Sequence, residues 1–142
     1  MDYLLDTCFI FYMMERGKEL FEFCAENDVG ITSFNLLEID YNLKHMSHEI
    51  KVHWRNFLKE KNFSILELSV HPGDREAEKN YIKDFDNDLL QIIPDPSDAV
   101  LLVAGLRSRA NILTRDKHHL FTTKLQNYLN GYEIQVFNNL PK

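Results

Sequence analysis

The sequence predicts an α/β fold of three layers, in which a central and mostly parallel sheet is covered by helices on both faces. Short apolar runs of strand length alternate with longer segments of helical periodicity, and Gly, Pro and Asn turn signals separate them. Alternating strands and helices imply parallel pairing through right-handed crossovers. At 142 residues and 44% hydrophobic content the chain is sufficient for one core. We therefore expect a single domain over residues 1–142.

Five apolar runs are short enough to be strands and are bounded by turn signals or helical patterns. The predicted strands are Tyr3–Leu5, Val29–Thr32, Phe63–Leu68, Ile112–Thr114 and Glu133–Phe137.

The segments between these runs have apolar residues at helical spacing. The pattern that opens at Ser33 is long, and we predict a break near Ser47. The other predicted helices are Phe9–Met14, Glu19–Glu26, Arg75–Phe85 with a continuation to Ile92 left open, Ser97–Arg109, and His119–Leu129.

The bulk composition excludes some functional classes. No apolar run approaches the roughly 18 residues that a membrane span needs, so we expect no membrane segment and a cytoplasmic location. A net charge of −6 does not favour nucleic-acid binding, but carboxylates that hold a divalent metal present positive charge to a phosphate. Cys8 and Cys24 lack zinc-site spacing, and we expect both to be buried, inert thiols.

Four acidic residues lie where strands meet helices. Asp6 ends the first strand, Glu38 is in the opening turns of the helix after the second strand, Asp98 is in the first turn of its helix, and Asp116 follows the fourth strand. Sites in open parallel sheets form outside the carboxyl ends of the strands. These acids therefore have the placement to converge on one pocket, where their repulsion would raise their pKa values unless a cation were bound.

Hard oxygen ligands suit Mg²⁺ or Mn²⁺, and an incomplete protein cage leaves room for water and a substrate phosphate. Metal-assisted phosphodiester hydrolysis is the natural chemistry of such a set. Three of the acids also have an ordinary structural interpretation: Asp6 as a turn residue, Asp116 as a helix cap, and Asp98 as a charge that favours the positive end of the helix dipole. For the pair Asp95 and Asp98 we predict that Asp95 caps the helix, with Pro96 at its first position, while Asp98 faces the pocket; an outer role for Asp95 in the site stays open.

The order of four motifs resembles the PIN-domain nucleases, and most of all the small VapC-like toxins of bacterial and archaeal toxin–antitoxin pairs. The motifs are Tyr3–Thr7, Ile31–Ile39, Pro96–Ala104 and Asn111–Asp116. The resemblance extends over essentially the whole chain and implies a PIN-like fold. Each motif alone is weak, and the specificity comes from their order and spacing.

The resemblance implies that Asp6, Glu38, Asp98 and Asp116 hold Mg²⁺ or Mn²⁺, and that the Thr114 hydroxyl supports the site. It also implies endonucleolytic cleavage of RNA to a 3′-hydroxyl and a 5′-phosphate, a homodimer, and silencing by a small antitoxin protein. Two features depart from the family pattern. Cys8 stands where similar proteins often have Asn or Ser, and Lys117–His119 replace a more usual acidic continuation.

Basic residues provide candidate RNA contacts. Arg115, Lys117 and His118 adjoin Asp116 and have the placement to contact the phosphate, although exposed loop residues of this kind often have no chemical role. Lys51 and Arg55 belong to a basic stripe on a predicted helix, for which a solvated face is the usual meaning and an RNA-backbone contact the alternative.

Two other functional interpretations compete with a metal-dependent ribonuclease. A catalytically inactive PIN module for RNA binding or protein docking is the alternative, and the presence of all four acids argues against it. A phospho-receiver domain also gathers acids around Mg²⁺, but the third strand here ends near Glu67 and Leu68 without an acceptor Asp.

Overall fold

The computed structural model describes residues 1–116 and 120–141 and has a five-stranded sheet at its centre. The strands are β1 (Tyr3–Leu5), β2 (Val29–Thr32), β3 (Ser64–Leu66), β4 (Asn111–Leu113) and β5 (Val136–Phe137). Their order across the sheet is β3-β2-β1-β4-β5, and every neighbouring pair is parallel. The predicted α/β class is confirmed, and the sheet of the described residues is entirely parallel where the sequence predicted a mostly parallel one.

Helices connect the strands and cover both faces of the sheet. In the described part of the chain they are α1 (Thr7–Met14), α2 (Glu19–Glu26), α3 (Ser33–Leu43), α4 (His48–Glu60), α5 (Arg75–Phe85), α6 (Leu89–Ile92), α7 (Pro96–Ser108) and α8 (Thr123–Leu129). None of them is long and apolar enough to cross a membrane.

The sheet separates two hydrophobic cores. Leu4 and Ile112 belong to the core that contains the buried residues of α5, α6, α7 and α8. Their neighbours Leu5 and Leu113 belong to the core formed with α1, α2, α3 and α4. Because successive side chains of a strand point to opposite faces, this alternation buries the sheet on both sides. The predicted three-layer arrangement is therefore observed.

Side-chain caps fix where several helices begin. Thr32 accepts a hydrogen bond from the Asn35 backbone N–H at 3.0 Å and starts α3. Ser47 accepts one from the Ile50 N–H at 3.3 Å and starts α4, so the predicted break near Ser47 is confirmed. Such caps satisfy backbone donors that have no partner inside the helix.

Several predicted boundaries are wrong at the ends of elements. α1 begins at Thr7, two residues before the predicted start, because Asp6 caps it. β3 ends at Leu66, and the Leu68 N–H instead donates to the Ser33 hydroxyl at 2.8 Å. The helix of 75–85 does not continue to residue 92: it stops at its predicted end, and α6 is a separate short helix.

The last two elements are also shorter than predicted. Thr122 caps the Leu125 N–H at 3.2 Å, so α8 begins at Thr123, while the predicted start at residue 119 lies outside the described residues. The Gln135 N–H donates to the Asn111 side chain at 2.8 Å, and β5 begins only at Val136. α7 and β4 each begin one residue before the predicted position, and α7 ends at Ser108.

The strand order places a topological switch point beside β1. The chain moves from β1 to β2 and β3 on one side and then returns to β4 and β5 on the other. In sheets of this kind the helices that follow strands on either side of the switch point diverge and leave a crevice at the carboxyl ends of the strands. Asp6 and Asp116 follow the two strands that border this point.

Candidate active site

All four predicted acids line one cavity of about 410 Å³ at the carboxyl edge of the sheet. We call it the acid cavity and define it by Asp6, Glu38, Asp98 and Asp116. Its remaining lining is formed by Thr7, Cys8, Phe11, Asn42, Met46 and Ser97. Residues from α1, α3, α7 and the segment after β4 thus meet at one place, although they are far apart in sequence.

Thr114 links the ends of the two central strands. This fully buried residue donates its hydroxyl proton to Asp6 Oδ2 at 2.6 Å and accepts a hydrogen bond from the Asp116 backbone N–H at 3.0 Å. Asp6 Oδ1 accepts the Thr7 N–H at 2.8 Å as the cap of α1. Asp6 therefore has its two oxygens held by different partners, which fixes the orientation of its carboxylate.

A second group of contacts, which the sequence did not single out, holds Glu38. Asn35 is buried, and its amide Nδ2 lies 3.2 Å from Glu38 Oε1, 3.0 Å from Thr7 Oγ1 and 3.4 Å from Asp6 Oδ1. The Thr7 hydroxyl lies 3.1 Å from the same Glu38 oxygen. Asn35 precedes Glu38 by one helical turn, a spacing that places both on one face of α3 and was the available signal.

Asn35 is itself anchored from the other side. Its Oδ1 accepts the Thr32 hydroxyl at 2.6 Å, and Thr32 is fully buried at the end of β2. The amide is therefore oriented with its N–H groups toward the acid cavity, because its oxygen is occupied. This orientation supplies donors to the acids that line the cavity.

The start of α7 places Asp98. Asp95 Oδ1 accepts the Ser97 N–H at 3.0 Å, and Pro96 occupies the first helical position, as the sequence predicted. Asp95 also forms an ion pair with Arg75 at 3.4 Å. Asp98 lies in the first turn, where the positive end of the helix dipole favours its negative charge, and it lines the cavity.

A fifth carboxyl group lies behind this helix start and was not predicted. Glu78 is fully buried, and its two oxygens accept the Gly73 N–H at 3.0 Å and the Ser97 hydroxyl at 3.3 Å. It joins α5, the turn at Gly73 and the first turn of α7. Its negative charge also acts on Glu38, so it contributes to the negative potential of the cavity.

The electrostatics of the acid cavity favour a cation. Burial raises the pKa of Asp6, with the Asp116 charge adding to the rise and the Thr114 hydrogen bond opposing it. Burial, together with the charges of Asp6 and Asp98, likewise raises the pKa of Glu38 to about 7. Carboxyl groups that are desolvated and close together are hard to ionise, and a bound cation removes that cost.

The structure corrects the prediction that Cys8 is buried. Its residue is exposed, whereas the sequence predicted a buried thiol; Cys24 is buried as expected. The Cys8 thiol donates to Asp6 Oδ2 at 3.4 Å, and burial of the sulfur with the Asp6 charge raises its pKa to about 12. A protonated thiol at this position is a weak donor to Asp6 and not a nucleophile.

The donor set fits a hard divalent cation in its chemistry, because carboxylate oxygens are the ligands that Mg²⁺ and Mn²⁺ prefer. The acidic side chains are, however, spaced more widely than the ligands of a bound metal ion. Across residues 1–116 and 120–141, no three Asp, Glu, His or Cys side chains are grouped tightly enough to hold a metal ion.

The predicted basic contacts fall into three groups. Arg115 lies next to Asp116, and its backbone N–H donates to the Cys8 sulfur at 3.4 Å. Lys51 and Arg55 are on α4 and are not among the residues that line the acid cavity in the described structure. Lys117 and His118 lie outside the described residues.

Comparison with solved structures shows a similarity of fold. The chain matches the crystal structure of VapBC2 from Rickettsia felis bound to a DNA fragment from their promoter, with a TM-score of 0.64 and 16% sequence identity. The match includes 97% of this chain and 100% of the other. No family model and no curated protein sequence matches. The sheet order and the similarity together show that this chain has the PIN-like fold that its motifs predicted.

Proposed function

We propose that this protein is an Mg²⁺- or Mn²⁺-dependent endoribonuclease and the toxin of a cytoplasmic toxin–antitoxin pair. The observation that carries the proposal is the acid cavity, in which Asp6, Glu38, Asp98 and Asp116 come from four separate segments to one place at the switch point of the sheet. The PIN-like fold supports the assignment.

Asp6, Asp98 and Asp116 would hold the metal ion directly, and Glu38 would act through a water. When bound, Mg²⁺ or Mn²⁺ supplies polarisation of a phosphoryl oxygen and a lowered pKa for the attacking water. Thr114 keeps the Asp6 carboxylate in one orientation through its 2.6 Å hydrogen bond. Asn35 and Thr7 do the same for Glu38, so the acids can approach a common point with little loss of conformational entropy.

The partner proposal rests on the resemblance to VapC-like toxins and on the similarity to a VapBC2 complex that is bound to promoter DNA. A small antitoxin that binds this chain would silence it, and we propose that the toxin forms a homodimer. RNA is the proposed substrate.

Cleavage of a pool of structured RNAs tests the function. We expect defined cuts with Mn²⁺ or Mg²⁺ that disappear with EDTA and in the Asp98→Asn variant, with 5′-phosphate ends on the products. The matched control is Asp40→Asn, since Asp40 is an exposed acid on α3 that does not line the acid cavity. Metal binding by a folded protein that makes no cuts would favour the catalytically inactive PIN module instead.

A further inference from the structure

Beside the acid cavity lies a cluster of one aromatic ring and two cations. The guanidinium carbon of Arg16 is 3.7 Å from the centroid of the Tyr12 ring, and that of Arg115 is 4.0 Å from the same centroid. We call Tyr12, Arg16 and Arg115 the arginine–tyrosine stack. The sequence singled out neither Tyr12 nor Arg16 as a site residue, and Arg115 was predicted only from its position beside Asp116.

The stack is continuous with the acid cavity. Tyr12 follows Cys8 by four residues on α1, so the two side chains lie on the same face of the helix about 6 Å apart along its axis. Cys8 lines the acid cavity and accepts the Arg115 N–H. A nucleic-acid strand bound at the acids therefore passes beside the stack, because Cys8 belongs to the cavity lining and also contacts Arg115.

The two guanidinium groups repel each other, because both lie within 4.0 Å of one ring centroid. The ion pairs among residues 1–116 and 120–141 join the Met1 amino group to Asp28 and Arg75 to Asp95. Neither cation of the stack is therefore neutralised by a carboxylate of that part of the chain. Tyr12 offsets part of the repulsion through cation–π attraction to both groups.

The donors of the stack match a phosphate. Arg115 uses Nη1 for the Asn138 carbonyl at 2.9 Å and the Asn139 side chain at 3.4 Å. A guanidinium has five N–H donors, of which three are on Nε and Nη2. Arg16 is exposed. Since the Tyr12 ring is covered by the two guanidinium groups, the stack presents charged N–H edges rather than an aromatic face for a base.

We infer that the arginine–tyrosine stack binds a backbone phosphate of single-stranded RNA beside the acid cavity. This inference rests on the proposed function and names a substrate-binding site for it. The stack supplies the positive charge that an acidic chain with a net charge of −6 needs beside a cavity lined by carboxylates. Recognition is of the backbone and is independent of the base sequence.

The test measures affinity for a fluorescein-labelled single-stranded RNA of mixed sequence in Ca²⁺, over a range of salt concentrations. The variants are Arg16→Gln and Arg115→Gln. The control is Arg109→Gln, an exposed arginine before β4 at the opposite edge of the sheet. We expect each stack variant to weaken binding about three- to tenfold and to lower the salt slope by about 0.7, the value for one phosphate contact on a single strand. The control leaves both unchanged.

Tyrosine variants separate the geometry of the stack from its charge. Tyr12→Phe keeps the ring and is expected to bind like the unmodified protein, whereas Tyr12→Leu removes the surface that holds both cations and weakens binding. Arg16→Gln is the variant with the least effect on folding, because this side chain is exposed at the end of α1. Its Mn²⁺-dependent cleavage should show a raised KM with kcat within about twofold.

The outcomes distinguish this inference from the proposed function. If the protein cleaves RNA but the stack variants bind like Arg109→Gln, the inference is overturned and the function stands. If no cleavage occurs but the stack variants still lose affinity and salt slope, the function fails and the RNA site stands. Binding of poly-glutamate, and not RNA, through the same arginines would overturn the assignment to nucleic acid in favour of an acidic protein segment.

Discussion

Glu38 should make the stability of the metal-free protein depend on pH. Its pKa is raised from 4.5 to about 7, mainly by burial and then by the charge of Asp6. The folded state therefore holds a proton on Glu38 that the unfolded state releases between about pH 4.5 and pH 7. As the pH rises through this window, the folded state is charged at a cost and loses stability; below it the cost is absent.

The magnitude follows from the size of the shift. One pKa unit corresponds to about 1.4 kcal/mol, so a rise of this size corresponds to about 3 kcal/mol before screening. Because the side chain is half-buried, solvent screens part of the interaction, and we expect about 2 kcal/mol. Glu38→Gln keeps the Oε1 acceptor for Thr7 and Asn35 and removes the charge. The variant should therefore be more stable than the unmodified protein by about 2 kcal/mol near pH 8 and by almost nothing near pH 4.

Urea unfolding followed by circular dichroism, with EDTA present at both pH values, measures this difference. Asp40→Asn is the control, because Asp40 is exposed on the same helix. The gain in stability of the variant over the unmodified protein is compared between the two pH values. Groups other than Glu38 titrate in both proteins, so their contributions cancel in this comparison. A gain of equal size at both pH values, or a loss of stability near pH 8, would refute the reasoning. Saturating Mg²⁺ should abolish the advantage of the variant, since a bound cation neutralises the same charge.

Four further changes test the acid cavity and its supports. Mg²⁺ or Mn²⁺ at about 100 times its Kd should stabilise the protein by about 2.7 kcal/mol, read as a rise in Tm, and Asp98→Asn should lose that rise while staying folded without metal. Thr114→Val should cost about 1–3 kcal/mol in urea unfolding because it leaves Asp6 Oδ2 without its 2.6 Å donor, whereas Thr114→Ser should be nearly neutral. Asn35→Ala should weaken metal affinity about tenfold in titration calorimetry, and an unchanged affinity would remove it from the site. Glu78→Ala should cost about 3 kcal/mol in the same urea assay and Glu78→Gln less than about 1, because the amide keeps one acceptor in a buried position.

The sequence predicted the parts of the fold that depend on local pattern. Strand runs such as Val29–Thr32 and the cap–proline pair Asp95 and Pro96 match the structure residue for residue, because burial on both faces and helix capping each leave a mark on adjacent positions. Element ends were less predictable. β3 ends early because the Ser33 hydroxyl, distant in sequence, takes the N–H of Leu68.

The residues of the acid cavity also divide into those that local pattern predicts and those whose roles depend on contacts distant in sequence. The four acids were predictable since each lies at the end of a strand or the start of a helix, where topology brings residues together. Glu78 was not, because a buried polar residue has no local pattern that separates it from an exposed one, and the one-turn spacing of Asn35 from Glu38 does not by itself show that Asn35 is buried. The roles of Asn35 and Glu78 depend on partners 28 and 19 residues away, Thr7 and Ser97, which only the folded chain places beside them.

The two acids at the start of α7 show how a short segment can serve stability and chemistry at once. A helix start needs an acceptor for its first N–H groups, and a site at that helix start needs a carboxylate with a coordinating face. At the start of α7 these two tasks fall on separate aspartates. Asp95 takes the Ser97 N–H, and Ser97 in turn donates its hydroxyl to the buried Glu78. Because these contacts satisfy the start of the helix, Asp98 lines the acid cavity, where the helix dipole favours its charge.

Removal of the cap should therefore change the position of Asp98 in the acid cavity. Asp95→Ala is expected to cost about 1 kcal/mol of stability and to lower metal affinity, whereas Asp95→Asn, which retains a capping oxygen, should preserve both. Equal metal affinity in the two variants, measured by calorimetry, would show that the cap and the site are independent.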